Sequence, residues 1–418
     1  MKILNVRLKK LSLLANCICS GDTSLLDSPT GVILLSRRSR RPDPREWWIR
    51  AALQAAGILA EESRVVVCGG GILHLDFVRW AASRNSDVVY IDVKGAGRNR
   101  RTQKDETPDW CTLRIEPDLS DLSDKKEKMR LRDSVMIDLS DRIIAVAVRK
   151  GGNMEALCRA ALDAGKRVEI FEPPGKAGKT LANSSLIVSG AIPIYLNESD
   201  CRALSKSKRM RQMKLPISMN PYRSPGPDLD DYLWHFTREC AGPWPDQSWD
   251  AYFNELADGE PEAQHDAIDS LEHILRGKII KACGAIVRGG HEVVCWTSMN
   301  PLDAATKTLW RPALGRWNFK PYAIGVKKTK LLKYGARPVV YGDEQDYSNM
   351  PENKRYLFQK ARTETADWRP ELEWRTSGDF GLNTLKPEEA LALVKNIDEK
   401  PRIEAACDYR VVAIEEYE

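Results

Sequence analysis

Two stretches of the chain carry residue types able to do chemistry. At 232–240 the sequence reads YLWHFTREC, which sets His235 and Thr237 two residues apart. On a strand, where side chains alternate between faces, both would point to one side. At 367–380 the sequence DWRPELEWRTSGDF carries Glu371, Glu373 and Arg375 at the same spacing. Taken alone, His235 reads equally well as a core histidine, and Glu373 with Arg375 as an exposed strand charge pair. Glycine clusters offer a second kind of chemistry. Gly69, Gly70 and Gly71 follow the apolar run RVVVC, and Gly151 and Gly152 follow IIAVAV. Glycine lets backbone N–H groups approach an anion closely, and a helix that follows presents its positive end there. A tight turn needs the same residues, so the glycines alone leave both readings open.

The elements that must position these groups can be read from periodicity. Residues 143–148 are an apolar run suited to a buried strand, followed by a Gly-Gly-Asn turn. Met154, Leu157, Ala161 and Leu162 lie at helical spacing, Gly165 marks a helix end, and 168–171 form a second strand. This is a complete βαβ unit, with its glycine turn at the carboxyl end of a strand, where parallel sheets bind ligands. Upstream, 31–36, 64–68 and 87–92 read as strands, alternating with helices over about 44–59 and 73–83. The alternation predicts an α/β, Rossmann-like, doubly wound parallel sheet. Residues 11–19 (LSLLANCIC) read as an N-terminal strand or helix edge rather than a secretion signal. Past a basic, then Pro/Gly-rich connector, strands at 232–240, 292–298, 321–328, 337–342 and 367–380 outnumber a helix that ends at Gly277. The second region is therefore expected to be α+β with a split sheet, with an acidic surface segment after its first strand. The domain boundaries are set at 1–204, a linker at 205–230, a second domain at 231–400 and an acidic tail at 401–418.

At 418 residues, 42% hydrophobic and 29% charged, the chain suits two soluble domains with ample core. The net charge of +5 is modest, but basic residues cluster: Arg37, Arg38, Arg40 and Arg41; Arg98, Arg100 and Arg101; and Lys206, Lys208, Arg209, Arg211 and Lys214. Such clusters can neutralise phosphates or simply be solvated. Ten cysteines contain no CxxC pair, and no set of four zinc ligands stands out, so no metal site is expected and a reduced, cytoplasmic protein is. No apolar stretch is long enough to span a membrane. Trp296, Trp310, Trp317, Trp368 and Trp374 crowd the second region, as core or as a stacking surface for bases.

Residues 30–204 resemble the DNA-processing protein A (DprA/Smf) family, a SLOG-type Rossmann-like domain. The carriers are LLSRR (34–38), VVVCGGGILHLD (65–76), RDSVMIDLSDRIIAVAVRKGGN (132–153) and NSSLIVSGAIPIYLNESD (183–200), in order. The resemblance implies binding of single-stranded DNA, with a small nucleotide as the alternative ligand. Its anion contacts fall on Ser36, Arg37, Gly69, Gly70, Gly71, Arg132 and Gly152. The sequence departs from the family at Leu35, His74, Asp133 and Ser134.

Residues 230–396 resemble ADP-ribosyltransferase-like proteins of the DarT and AbiGi type, known from toxin–antitoxin and antiviral defence systems. The matching pieces are HFT (235–237), ILRG (274–277), WTS (296–298), PYAIGV (321–326) and ELEWR (371–375). The resemblance implies NAD as substrate, whose nicotinamide–ribose bond cleaves through a cationic sugar that a carboxylate can stabilise. Glu373 takes that role, with Glu371 in reserve. His235 bonds a ribose hydroxyl beside Thr237, Tyr322 stacks on nicotinamide, and Arg375 or Arg316 holds phosphate. The family's glutamate after Thr/Ser is absent from WTSMNP. Together the two resemblances suggest a defence-type protein with operon partners or self-association. A non-catalytic DNA-binding protein whose C-terminal domain binds a partner is the alternative.

Overall fold

The computed structural model describes residues 17–36, 38, 42–93, 110–117, 119, 122–174, 180–197, 227–284, 287–306, 310–311, 316–317, 319–363 and 366–417. The chain divides into two compact units. The first contains the described residues up to 197 together with Gly242–Gln264, and the second the remainder.

The first unit is an eight-stranded sheet with strands β1 (Cys17–Gly21), β2 (Thr30–Leu35), β3 (Val65–Cys68), β4 (Val88–Ile91), β5 (Leu113–Pro117), β6 (Arg142–Ala147), β7 (Arg167–Phe171) and β8 (Ile192–Ile194). Their spatial order is β1-β5-β4-β3-β2-β6-β7-β8, all parallel except β1, which runs antiparallel to β5. The order reverses between β2 and β6, the hallmark of a doubly wound sheet. Both faces are covered, so the strands are apolar throughout rather than alternating. Ile33, Val66, Ile144 and Phe171 pack beneath α1 (Trp47–Glu61) and α2 (Leu73–Ser83). Val32, Val67, Ile143 and Ile170 pack on the other face, against α3 (Lys125–Asp138), α4 (Asn153–Asp163) and α5 (Asn183–Val188).

The boundary expected at 204–231 needs correction. Helix α6 (Trp249–Asp258), read from sequence as an acidic surface segment, belongs to the first unit. Its acidic residues mark only its outer side. Trp249, Tyr252, Phe253 and Leu256 are buried with Trp48, Phe77 and Trp80. Phe253 alone has four tryptophan or phenylalanine rings within 5.6 Å of its own, those of Phe77, Trp80, Trp110 and Trp249. Asp250 accepts hydrogen bonds from the indoles of both Trp80 and Trp110, each at 3.1 Å. Ser248 caps the helix start and Gly259, at φ 82°, ends it in the left-handed conformation that glycine tolerates.

The second unit is built on one seven-stranded sheet rather than a split one. Its strands are β9 (Tyr232–Phe236), β10 (Val293–Thr297), β11 (Ala323–Lys327), β12 (Arg337–Pro338), β13 (Glu373–Ser377), β14 (Ala390–Val394) and β15 (Arg410–Ala413). In space they run β12-β13-β10-β9-β11-β14-β15, antiparallel except for β14 beside β15. The expected acidic tail at 401–418 therefore contributes an edge strand, with Val411 and Ala413 buried in the core. Helix α7 (Ala267–Gly277) opens on an Asp266–Asp269 capping box and packs Leu271 and Leu275 on one face of the sheet. The strand expected over 337–342 breaks at buried Val339. Arg337 and Pro338 pair with β13, while Val340–Gly342 pairs in parallel with Phe358–Lys360. No described helix is long and apolar enough to cross a membrane.

Candidate functional site

In the first unit the switch point lies between the carboxyl ends of β2 and β6. Ser36 is buried there; its N–H donates to Ala147 O at 2.9 Å, and its hydroxyl accepts from Arg149 N at 2.9 Å. Gly152 is the N-cap of α4, and Gly151 takes φ 69°. The glycines serve the protein's own side chains. A Cβ on Gly69 would lie 2.9 Å from Arg132 Nε, and one on Gly70 would lie 2.9 Å from both Asp76 Oδ1 and the Tyr90 ring. Gly71, at φ 86°, donates its N–H to Asp76 Oδ1 at 3.2 Å, and Gly151 donates to Glu155 Oε2 at 2.7 Å. Of the amides expected to meet a phosphate, that of Gly71 is thus taken by an internal carboxylate and that of Gly152 by Arg149 O at 3.1 Å.

Arg132, expected as an anion contact, is 3% exposed and engaged elsewhere. Its Nε and Nη2 bond Asp133 Oδ1 at 3.0 and 2.6 Å, and its Nη1 donates to Gly70 O at 3.1 Å. Asp133 is the reason, because it gives the guanidinium an internal partner. Arg37, with Arg40, Arg41 and the other two basic clusters, lies outside the described residues, whereas Arg38 donates to Ser36 O at 3.2 Å.

In the second unit a cavity of about 140 Å³ opens on the sheet. Register decides which side chains share it. Glu373 stands opposite Thr297, Arg375 opposite Cys295, and Thr297 opposite Trp234. Pleating puts these on one face, with Phe236 two residues along β9 from Trp234. Phe319, Gln359, Trp368, Glu371 and Arg238 complete the wall. His235 stands opposite Ile324, on the other face with Trp296 and Leu233. It nevertheless lines the cavity, because β9 and β10 share a single register pair. Beyond that pair, the imidazole Nδ1 donates to Cys295 O at 2.9 Å. Burial pushes the imidazole down to about 4, so at neutral pH the ring is uncharged and carries its proton on Nδ1. The structure thus brings His235 and Glu373 to one cavity without setting the imidazole face to face with the carboxylate across a sheet surface.

The two acids are held firmly. Arg375 is buried. Its Nε donates to Glu373 Oε1 at 2.8 Å, its Nη1 to the carbonyls of Tyr356 and Phe358, and its Nη2 to Gln359 Oε1, each at 2.8 Å. Four of its five donors are spent within the protein, so it positions Glu373 and its neighbouring loop rather than standing ready for phosphate. Thr297 Oγ1 donates to Glu371 O at 2.6 Å, and Tyr341 Oη meets Glu373 N at 3.1 Å. Between the acids Leu372 is 51% exposed and adopts φ 46°. A leucine held in that region costs on the order of 1–3 kcal/mol, and such strain gathers at functional sites. Cys295, also against Glu373, is raised to about 12 by burial first and by that carboxylate second, so it stays a thiol.

Two residues expected to hold cofactor lie off the cavity. Thr237 is buried, with its hydroxyl donating to Ala267 O at 2.7 Å. The Tyr322 hydroxyl donates to Glu399 Oε1 at 2.8 Å, and burial with that carboxylate raises it. Arg316 lies in a two-residue strand whose side chains are outside the described set, as are those of Trp310 and Trp317. Sequence reasoning missed Arg238, Gln359 and Phe319 as wall residues and left Trp368 between core and a stacking surface for bases. For β9, the signal was the even positions 234, 236 and 238, which follow the cavity face, whereas the His-x-Thr pair follows the other.

No protein-family model matches the chain, and no curated protein matches it by sequence. Solved structures do resemble part of it, under half of the chain in each case. DNA processing protein A from Helicobacter pylori, which binds single-stranded DNA, is 21% identical over 46% of this chain and 85% of its own, with a TM-score of 0.33. Its counterpart from Streptococcus pneumoniae is 18% identical over 45% of this chain and 65% of its own, with a TM-score of 0.32. The molybdenum cofactor binding protein from Rippkaea orientalis is 17% identical over 43% and 96%, with a TM-score of 0.29.

Proposed function

We propose that the second unit cleaves the nicotinamide–ribose bond of NAD, releasing nicotinamide or transferring ADP-ribose to a macromolecule, in a defence-type protein. One observation carries the reading: Glu371 and Glu373 meet Trp234, Phe236, Phe319 and Trp368 around a single cavity. A cavity of about 150 Å³ admits one benzene-sized ring, so the volume suits a nicotinamide. The aromatic wall would hold the planar ring. The Glu373 carboxylate, fixed by Arg375, would stabilise the positive charge that develops on the ribose as the bond breaks. His235 Nε2, the acceptor nitrogen, would take a hydrogen bond from a ribose hydroxyl. In the first unit, the switch point around Ser36, Arg149 and Gly152 would bind the phosphate of a nucleotide or of single-stranded DNA, with Glu155 giving up the Gly151 amide.

The test is incubation of the full chain with NAD labelled in the adenylate, with and without single-stranded DNA, following label transfer and nicotinamide release. The expected result is turnover that falls at least 100-fold in Glu373→Gln. Absence of both products under every condition rejects the enzyme reading. One observation favours the non-catalytic alternative: Arg375 and Glu373 satisfy each other, as a structural pair would. That alternative expects salt-dependent DNA binding and no effect of Glu373→Gln on any NAD readout.

A further inference from the structure

Helix α8 (Lys328–Lys333) and the edge strand β12 that follows it carry a positive surface, of which the fold itself uses Arg337, whose Nη1 donates to Ala336 O at 2.7 Å, and Lys330. Lys327 and Lys328 stand at the helix start, with no acidic residue in its first turn. The helix dipole disfavours cations there. Lys327, Lys328, Lys333 and Arg337 form no ion pair with any described residue; only Lys330 has one, to Glu389 at 3.0 Å. Two aromatic rings lie among these charges. Lys328 Nζ sits 5.1 Å from the centre of the half-buried Trp374 ring, and Tyr334 is 44% exposed. Register makes the patch continuous, since Pro338 on β12 pairs with Trp374 on β13.

We infer that this surface binds single-stranded nucleic acid. Unpaired cations beside accessible aromatic faces match a backbone that carries one charge per nucleotide and bases that stack without regard to sequence. An acidic protein segment would use the cations but leave the rings idle. Double-stranded nucleic acid would not offer base faces. The inference is separate from the NAD proposal, because Trp374 alternates along β13 with Glu373 and Arg375 and does not line their cavity.

The experiment uses the full chain and a fluorescent oligothymidylate, with binding followed by anisotropy over a salt series. A photo-crosslinking version carrying 5-iodouracil is mapped by mass spectrometry. Each phosphate contact adds about 0.7 to the salt slope for single strands. Lys327→Ala/Lys328→Ala/Lys333→Ala should therefore lower the slope by about 2 and weaken binding at least 10-fold. Tyr334→Ala should weaken binding about 10-fold and leave the slope unchanged. Crosslinks should fall on Tyr334 or Trp374. Unaltered melting curves for these surface variants would exclude unfolding as the cause. No binding, binding unaffected by the triple variant, crosslinks confined to residues before 198, or displacement by polyglutamate as effective as by unlabelled oligonucleotide would each overturn the assignment.

Discussion

At the scale of single residues, Arg375 and His235 are both held by the protein's own groups, Arg375 by Glu373 and three further acceptors and His235 by Cys295 O. Arg375 is a buried cation with four donors committed, and removing it strands the Glu373 charge and the carbonyls of Tyr356 and Phe358. Breaking such a buried pair costs about 3–5 kcal/mol. Arg375→Met should lower unfolding free energy by that order in urea titration, and the loss should persist with no NAD present. Leu372 points the opposite way. Glycine accepts φ 46° without strain, so Leu372→Gly should raise stability by about 1 kcal/mol while slowing any NAD turnover that depends on how Glu371 and Glu373 are held. His235 sets a pH signature. Its folded value, about 4, lies below the ordinary histidine value of 6.5. Between those limits the unfolded chain binds the proton and the folded one does not, so stability rises with pH across pH 4 to 6.5 and is fully present above it. His235→Gln keeps an N–H donor for Cys295 O and removes the titration. Its melting temperature should fall less than that of the parent on going from pH 7 to pH 5.

At the scale of elements, the first unit was largely legible because a sheet covered on both faces writes itself as unbroken apolar runs. Residues 31–36, 64–68 and 143–148 fall almost residue for residue on β2, β3 and β6, and the helix over 73–83 is α2 itself. Helix α6 was illegible for a different reason: Trp249, Tyr252, Phe253 and Leu256 have helical spacing, but nothing local says that they pack on α1 and α2, far earlier in the chain. Burying four such side chains is worth about 1.5–3 kcal/mol each, together comparable with a whole domain's stability. Residues 1–204 expressed alone should therefore lack a cooperative thermal transition, whereas a version that adds 242–264 through a flexible linker should recover one. In the full chain, Phe253→Ala should cost about 3–5 kcal/mol. In the second unit the period of two was read on β9 from His235 and Thr237, of which His235 lines the cavity and Thr237 does not, while Trp234 and Phe236, on the alternate positions, line it too. Two strands escaped the sequence reading, β14 inside the sheet and β15 at its edge.

At the scale of the whole molecule, two units with separate cores lie on one chain, and the chain passes from the second unit to the first and back between 241 and 265. The first presents glycine turns in which the Gly71 and Gly151 amides are held by Asp76 and Glu155, so a phosphate that used either amide would have to displace a carboxylate. The second presents a cavity with aromatic walls and two anchored acids, and elsewhere on its surface a cluster of unpaired lysines. The central claim is that this cavity holds the nicotinamide end of NAD. Equilibrium dialysis of the full chain against NAD labelled in the nicotinamide ring tests it most directly, in the presence of excess unlabelled nicotinamide as competitor. The account predicts one equivalent of label bound by the parent, displaced by nicotinamide, retained by Lys328→Ala and lost from Trp368→Ala. Label bound equally by the Trp368→Ala variant, or not bound by the parent at millimolar NAD, would contradict it.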